Sequence, residues 1–151
     1  MRGSNHDDTL IAGEERGGIL MGAGGDDFLV GSQLANDLRG EWGNDTLLGN
    51  DGDDTLNGGS GADFINGGEG QDEATFIHSN ESVQVELTDG AAIVSGGHAE
   101  GDVITGVEDI FGSRYSDVLI GNDGDNVIDG FYGFDSIYGG EGNDTLSGTF
   151  V

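Results

Sequence analysis

A single aliphatic side chain recurs at every ninth residue of this chain, and the residues between are mostly polar or glycine. An isolated aliphatic residue between polar neighbours predicts a strand of about three residues that points one side chain inward. The rest of each unit is rich in glycine and predicts a tight turn. The aliphatic position is held first by Leu20, Leu29, Leu38, Leu47, Leu56, Ile65 and Ala74, and later by Leu119, Ile128, Ile137 and Leu146.

Two strand-and-turn units, eighteen residues together, predict one coil of a flattened right-handed solenoid. Successive coils stack at the spacing of neighbouring strands, about 4.8 Å, so the aliphatic side chains form a ladder inside the solenoid. The alternative is a disordered chain, which low hydrophobicity and high net charge would favour. A disordered chain has no reason to keep a nine-residue period, and the pattern therefore predicts an all-β solenoid.

An acidic residue follows the same nine-residue period. Counting each unit from its first glycine, the sixth position holds Asp27, Asn36, Asp45, Asp54, Asp63 and Asp72, and later Asp117, Asn126, Asp135 and Asp144. Residues eighteen apart lie above one another in a solenoid, so Asp45 is predicted to lie over Asp63 and Asp54 over Asp72. Stacked carboxylates repel one another unless a cation lies between them.

Composition supports a cation as the partner. The chain of 151 residues has 30 acidic and 4 basic residues, all of them arginine, and a formal net charge of −26. Four scattered arginines cannot offset phosphate repulsion, which argues against nucleic acid, and no apolar run is long enough for a membrane span. Cysteine is absent, which excludes disulfides and thiolate metal sites. Carboxylate and carbonyl oxygens at flexible spacing suit calcium, whereas zinc prefers histidine or cysteine.

The repeat resembles the RTX nonapeptide, most closely in GGSGADFIN at 58–66 and GGEGNDTLS at 139–147. The resemblance implies a right-handed parallel β-roll, a β-helix solenoid with stacked calcium ions in its turns. It also implies export, by type I secretion, to the extracellular space or the outer cell surface. Proteins of this family include toxins, proteases, lipases and alginate-modifying enzymes.

In that family each calcium ion lies between two successive turns on one edge of the roll. The first turn gives the carbonyl oxygens of its second and fourth positions and its Asp, and the next turn gives those of its first and third positions and its Asp. Two full sets are Glu41, Gly43, Asp45, Gly58, Ser60 and Asp63 on one edge, and Asn50, Gly52, Asp54, Gly67, Glu69 and Asp72 on the other. Further implied ligands are Ala23, Gly25, Asp27, Asn36, Gly40, Trp42, Gly49, Asp51, Ser113, Tyr115, Asp117, Asn122, Gly124, Asn126, Gly130, Tyr132, Asp135, Gly139, Glu141 and Asp144.

Some turns depart from the repeat. Gly18 replaces the acid, so a site in that turn should be absent or weak, and Asn36 and Asn126 offer an oxygen without charge. Leu34 and Tyr115 replace the glycine of the fourth position, which puts the geometry of their turns in doubt. About six calcium ions are expected, within a range of four to eight.

Residues 76–111 interrupt the repeat. Val83, Val85 and Leu87 alternate with polar residues and precede an Asp89-Gly90 hairpin signal, which predicts β structure without calcium motifs. The insert equals two eighteen-residue coils in length, so we expect one continuous roll. The predicted divisions are 1–4, which looks like an expression-vector leader, a first array at 5–75, the insert at 76–111 and a second array at 112–151.

These observations predict a non-catalytic calcium-binding module of a larger secreted protein, one that folds on binding calcium outside the cell and scaffolds a neighbouring domain. The alternative is a calcium-dependent carbohydrate-binding module of a polysaccharide-modifying enzyme, or an adhesin repeat. Trp42 and Tyr132 share the third turn position and could stack on a sugar. Expected partners are calcium, neighbouring domains of the parent protein and, for the alternative, a glycan; the chain is expected to be a monomer.

Overall fold

The computed structural model describes residues 1–149, which form an all-β solenoid with one short 3₁₀ helix, Gly97–Ala99. The last two residues of the predicted second array, 150 and 151, lie outside the described part. The strands are β1 Thr9–Ile11, β2 Ile19–Gly24, β3 Phe28–Val30, β4 Asp37–Trp42, β5 Thr46–Asp51, β6 Thr55–Ser60, β7 Phe64–Glu69, β8 Glu73–Thr75, β9 Gln84–Glu86, β10 Ile93–Ser95, β11 Val103–Thr105, β12 Asp109–Phe111, β13 Val118–Ile120, β14 Val127–Tyr132, β15 Ser136–Tyr138 and β16 Thr145–Thr149.

One face of the solenoid is a single parallel sheet of seven strands, in the order β16-β14-β12-β8-β6-β4-β2. Leu20 pairs with Leu38 and Leu38 with Leu56, so each coil advances eighteen residues. We call this seven-stranded sheet face one. Strands of both arrays belong to it, and the sheet therefore runs from the first array into the second without a break.

The opposite face, face two, consists of two sheets. The first is parallel, in the order β1-β3-β5-β7-β11, and the second has the order β10-β9-β13-β15 with β10 antiparallel to β9. The amide N–H of Ala92 donates to the carbonyl oxygen of Ile104 at 2.7 Å, a hydrogen bond that joins the two sheets where they meet.

The aliphatic ladder lies between the two faces, as predicted. Leu29, Leu38, Leu47 and Leu56 are fully buried. Leu146, in the last strand, is 46% exposed because no further coil covers it. Each coil thus buries one aliphatic side chain per face, and coils at the ends of the stack are the least covered.

The insert extends this ladder with Val83, Val85, Leu87, Ile104 and Ile110, all of which are buried. Its β9 and β10 form the antiparallel hairpin that the sequence predicts around Asp89-Gly90. The expectation that the insert adds two coils is wrong on face one. There only β12 lies between β8 and β14, so the chain between β8 and β12 leaves this sheet.

On face two the insert's strands lie in the reverse of their chain order. The later strand, β11, pairs with β7 of the first array, whereas the earlier strand, β9, pairs with β13 of the second. The chain therefore reaches the second array, returns to the first, and only then continues. On face two the insert therefore covers the end of each array that faces the other array.

The N-terminal residues join face one. Arg2 forms a parallel bridge with Met21, and the N–H of Gly3 donates to the carbonyl oxygen of Met21 at 2.8 Å. Within residues 1–149, no helix is long and apolar enough to cross a membrane.

Candidate metal sites

The sixth-position acids form hydrogen-bonded columns along both edges of the solenoid. On edge one, where the chain passes from face one to face two, the N–H of Asp27 donates to Oδ1 of Asp45 at 2.7 Å, and the N–H of Asp45 to Oδ1 of Asp63 at 2.8 Å. On edge two the N–H of Asp54 donates to Oδ1 of Asp72 at 2.8 Å. The predicted stacking of Asp45 on Asp63 and of Asp54 on Asp72 is present, and one oxygen of each lower carboxylate is fixed by the coil above.

The other carboxylate oxygen of these residues is buried and has no hydrogen-bond partner. This holds for Oδ2 of Asp27, Asp45, Asp54, Asp63, Asp72 and Asp102. Burying a charged oxygen is costly unless a counter-charge or a hydrogen bond compensates for it. Aligned carboxylate oxygens of this kind fit a bound cation.

Carbonyl oxygens converge on the same spaces. A Cβ at Gly22 would lie 2.8 Å from the carbonyl oxygen of Gly40, the first residue of the next turn on edge one. Cβ atoms at Gly59 and Gly61 would collide with the carbonyl oxygens of Glu41 and Gly43, the second and fourth positions of the turn before. Carbonyls of both turns therefore face the space between the turns. A donor set made only of oxygen is the one that calcium prefers.

The turns fall into two backbone classes. In the class that we call open, the second and fourth positions both have positive φ. The second positions are Ala23, Glu41, Asn50, Gly59, Gly68, Phe131 and Gly140, and the fourth positions are Gly25, Gly43, Gly52, Gly61, Gly70, Gly133 and Gly142. Positive φ is unfavourable for residues with a Cβ, so Ala23, Glu41, Asn50 and Phe131 hold local backbone strain at the proposed metal turns.

Four turns are closed by hydrogen bonds within the turn, and in the first of them, 3–8, the N–H of Ser4 donates to Oδ2 of Asp8 at 2.6 Å. The N–H of Ser113 donates to Oδ2 of Asp117 at 2.6 Å, and the N–H of Tyr115 donates to Oγ of Ser113 at 3.1 Å. The turns 31–36 and 121–126 have the same pattern, in which the second-position N–H donates to Asn36 or Asn126. In these turns an oxygen of the sixth position already has a partner inside the turn.

The predicted ligands divide between the two classes. Closed turns contain Asn36, Ser113, Tyr115, Asp117, Asn122, Gly124 and Asn126. Open turns contain Ala23, Gly25, Asp27, Gly40, Glu41, Trp42, Gly43, Asp45, Gly49, Asn50, Asp51, Gly52, Asp54, Gly58, Ser60, Asp63, Gly67, Glu69, Asp72, Gly130, Tyr132, Asp135, Gly139, Glu141 and Asp144. A serine or asparagine in the second position marks every closed turn, although Asn50 has such a side chain in an open one.

Burial controls the protonation of the columns. It raises the pKa of Asp45 to about 7 and those of Asp54 and Asp63 to about 6. The backbone N–H that each Oδ1 accepts lowers these pKa values in part, and the neighbouring carboxylates Asp27 and Asp63 raise that of Asp45 further. Without a cation, these groups therefore ionise at higher pH than an exposed carboxyl group, Asp45 near pH 7 and Asp54 and Asp63 near pH 6.

Two acids extend the columns from the insert, the segment for which the sequence predicts no calcium motif. The N–H of Asp63 donates to Oδ1 of Asp102 at 2.8 Å, and the N–H of Asp72 donates to Oε2 of Glu108 at 3.0 Å. Residues 102–104 read Asp-Val-Ile and repeat the Asp-Phe-Ile of 63–65, a signal that was present in the sequence.

Comparison with protein families decides the identity of the repeat. The model of the RTX calcium-binding nonapeptide repeat (4 copies) matches residues 39–74, 102–130 and 132–150, more than half of the chain. The chain belongs to this RTX repeat family. No curated protein matches it. The RTX assignment and the oxygen-only donor set agree that this is a calcium-binding β-roll.

Within this RTX roll, the donor sets that the family implies are complete where two open turns are neighbours on one edge. On edge one these are the turns 22–27, 40–45 and 58–63, and on edge two the turns 49–54 and 67–72. The open turns 130–135 and 139–144 lie beside closed turns. The departures at Leu34 and Tyr115 therefore coincide with closed backbones.

Proposed function

We propose that this chain is the calcium-triggered folding module of an exported protein. The observation that carries the proposal is the set of six buried carboxylate oxygens without hydrogen-bond partners, which recur in register along both edges. Calcium compensates for their burial, so its binding energy contributes directly to folding. In its absence the fold holds a formal net charge of −26 together with a core of one aliphatic residue per strand.

The proposal includes export because of the calcium concentrations on the two sides of the cell envelope. Extracellular calcium modules commonly bind with dissociation constants of roughly 0.1–1 mM, far above cytosolic calcium. A module of this affinity stays unfolded inside the cell and folds outside. Once folded it offers a rigid solenoid beside a neighbouring domain, and we assign it no catalysis of its own.

Calcium affinity tests this proposal. Titration calorimetry of the chelator-treated chain should give a binding midpoint in the range of roughly 0.1–1 mM, with heat that coincides with folding. Sub-micromolar binding would contradict it, because the module would then fold before export. For the number of ions, the three pairs of neighbouring open turns predict three tight motif sites and weaker binding beside closed turns.

A second candidate function is glycan binding, and one observation favours it. A cavity of about 330 Å³ on face one is lined by Arg39, Glu41, Trp42, Asn57, Gly59, His78 and His98. Trp42 is 67% exposed and offers an apolar ring beside planar polar groups, a combination that suits a sugar. Oligosaccharide titration with and without calcium should quench Trp42 fluorescence only in calcium; no quenching with neutral or acidic glycans would exclude this function.

A further inference from the structure

Within residues 1–149, Asp102 is the one orphaned carboxylate that lies outside the open turns. It belongs to the insert, directly before β11, and is 7% exposed. Its Oδ1 accepts the N–H of Asp63 at 2.8 Å, the role that Asp63 itself has toward Asp45. Its Oδ2 is buried and has no hydrogen-bond partner. Capping the N–H of Asp63 uses one oxygen, so the cap leaves the burial of the second oxygen unexplained.

The turn above Asp102 presents oxygen atoms toward it that can bind a metal ion. The turn 58–63 is open, with positive φ at Gly59 and Gly61, and Oδ2 of Asp63 is orphaned as well. In the preceding coil the carbonyl oxygens at the same two positions, Glu41 and Gly43, point toward the next coil. For the turn 58–63 the next coil on face two is the insert, because β11 pairs with β7.

The insert packs closely enough to take part. The backbone of Gly101 lies against Ala62, since a Cβ at Gly101 would be 3.1 Å from the Cβ of Ala62. The N–H of Val103 donates to the carbonyl oxygen of Asp63 at 2.8 Å, which continues the register of the sheet through the insert. Asp102 is therefore held in the same position in its coil that the motif acids have in theirs.

We propose that a calcium ion binds between the turn 58–63 and the insert, held by the carboxylates of Asp63 and Asp102 together with backbone carbonyl oxygens of the turn 58–63. This site rests on the proposed calcium-binding function and adds a ligand at the end of residues 97–102, where Glu100 holds the position of the fourth glycine. It joins the first array to the strand that precedes β12, so calcium here fastens the insert onto the end of the first array.

The first test is Asp102→Asn. The amide keeps an oxygen that can accept the N–H of Asp63 but removes the anionic ligand. Native mass spectrometry at saturating calcium should show one ion fewer than in the wild-type chain. Glu100→Gln is the matched control, because Glu100 is exposed and caps only the N–H of Gly96 in the same segment. It should bind the wild-type number, and an unchanged number in Asp102→Asn would overturn the proposal.

A second measurement needs no variant. Anomalous diffraction from crystals of the calcium-loaded wild-type chain should show a peak between Asp63 and Asp102, at about 2.3–2.6 Å from both carboxylates. Peaks between Asp27, Asp45 and Asp63 without one at Asp102 would overturn this site and leave the proposed function intact. Absence of all peaks along the column would contradict the proposed function itself.

Discussion

At the residue scale, backbone conformation decides which turns can present oxygen atoms to a cation. The open turns require positive φ at two positions, and the fourth position is glycine in every one of them. The sequence shows this requirement as a glycine that recurs at the fourth position of most nine-residue units. It does not show that Glu41, Asn50 and Phe131 adopt positive φ, because that conformation is imposed by the stacked coil and not by the residue.

Gly61→Ala tests this requirement. Gly61 has a φ of 144°, and a Cβ there would collide with the carbonyl oxygen of Gly43. We expect the variant to lose about 1–3 kcal/mol and to need more calcium to fold, as seen in a circular dichroism titration. Gly18→Ala is the control, since a Cβ there has no atom within 4 Å. If Gly61→Ala folds at the same calcium concentration as the wild-type chain, the fourth position does not require the open-turn backbone.

The raised pKa of Asp45, about 7, predicts opposite effects of pH with and without calcium. A carboxyl group whose pKa is higher in the folded chain destabilises the fold above that pKa, and the penalty disappears as the pH falls toward the unfolded value. Without calcium, β structure should therefore increase from about pH 8 to about pH 5. With calcium, protons compete for the ligands, and the calcium midpoint should rise over the same range. A loss of β structure in chelator, or a fall of the calcium midpoint, as the pH is lowered from about 8 to about 5 would contradict the account.

At the element scale, hydrogen bonds within the turn separate closed from open turns. The strands and their register follow from the nine-residue period, because one buried aliphatic side chain per strand fixes which face points inward. Whether a turn is open or closed depends on hydrogen bonds within the turn, and the nine-residue period does not show these. In 112–117 the hydroxyl and N–H of Ser113 occupy both oxygens of Asp117, which leaves no free oxygen for a cation.

The double variant Ser113→Gly with Tyr115→Gly should open this turn. It removes the Ser113 hydroxyl and allows positive φ at both positions. Native mass spectrometry at saturating calcium should then show one additional ion, bound between the turn 112–117 and the open turn 130–135. Ser60→Gly, in a turn that is already open, should add none. No additional ion in the double variant would mean that the hydrogen bonds of Ser113 do not determine turn class.

At the scale of the whole molecule, the reversed order of β9 and β11 links the two arrays. The sequence predicts that the insert has β structure and that the two arrays form one continuous roll, and face one runs through both arrays in this way. The nine-residue period of the sequence could not show that β9 pairs with the second array and β11 with the first. The insert lacks the repeat that specifies the stacking order. The insert covers β7 and β13 on face two, strands that would otherwise be free to pair with other molecules.

Val85→Ala tests this link. Val85 is 1% exposed and lies beside Leu119 of the second array, and truncation should cost on the order of 2 kcal/mol. The only tryptophan, Trp42, reports on the first array. Because the insert couples the arrays, the calcium midpoint from Trp42 fluorescence should rise together with that from circular dichroism. Ile93→Ala, at an exposed site of the hairpin, is the control; an unchanged Trp42 midpoint in Val85→Ala would show independent arrays.

The central claim is that calcium binding and folding of this RTX roll are one process. Circular dichroism of the whole chain at neutral pH, first in excess chelator and then through a calcium titration into the millimolar range, tests it most directly. The account predicts a largely unfolded spectrum in chelator and a cooperative gain of β structure as calcium rises. The same β spectrum in chelator as in calcium would contradict it.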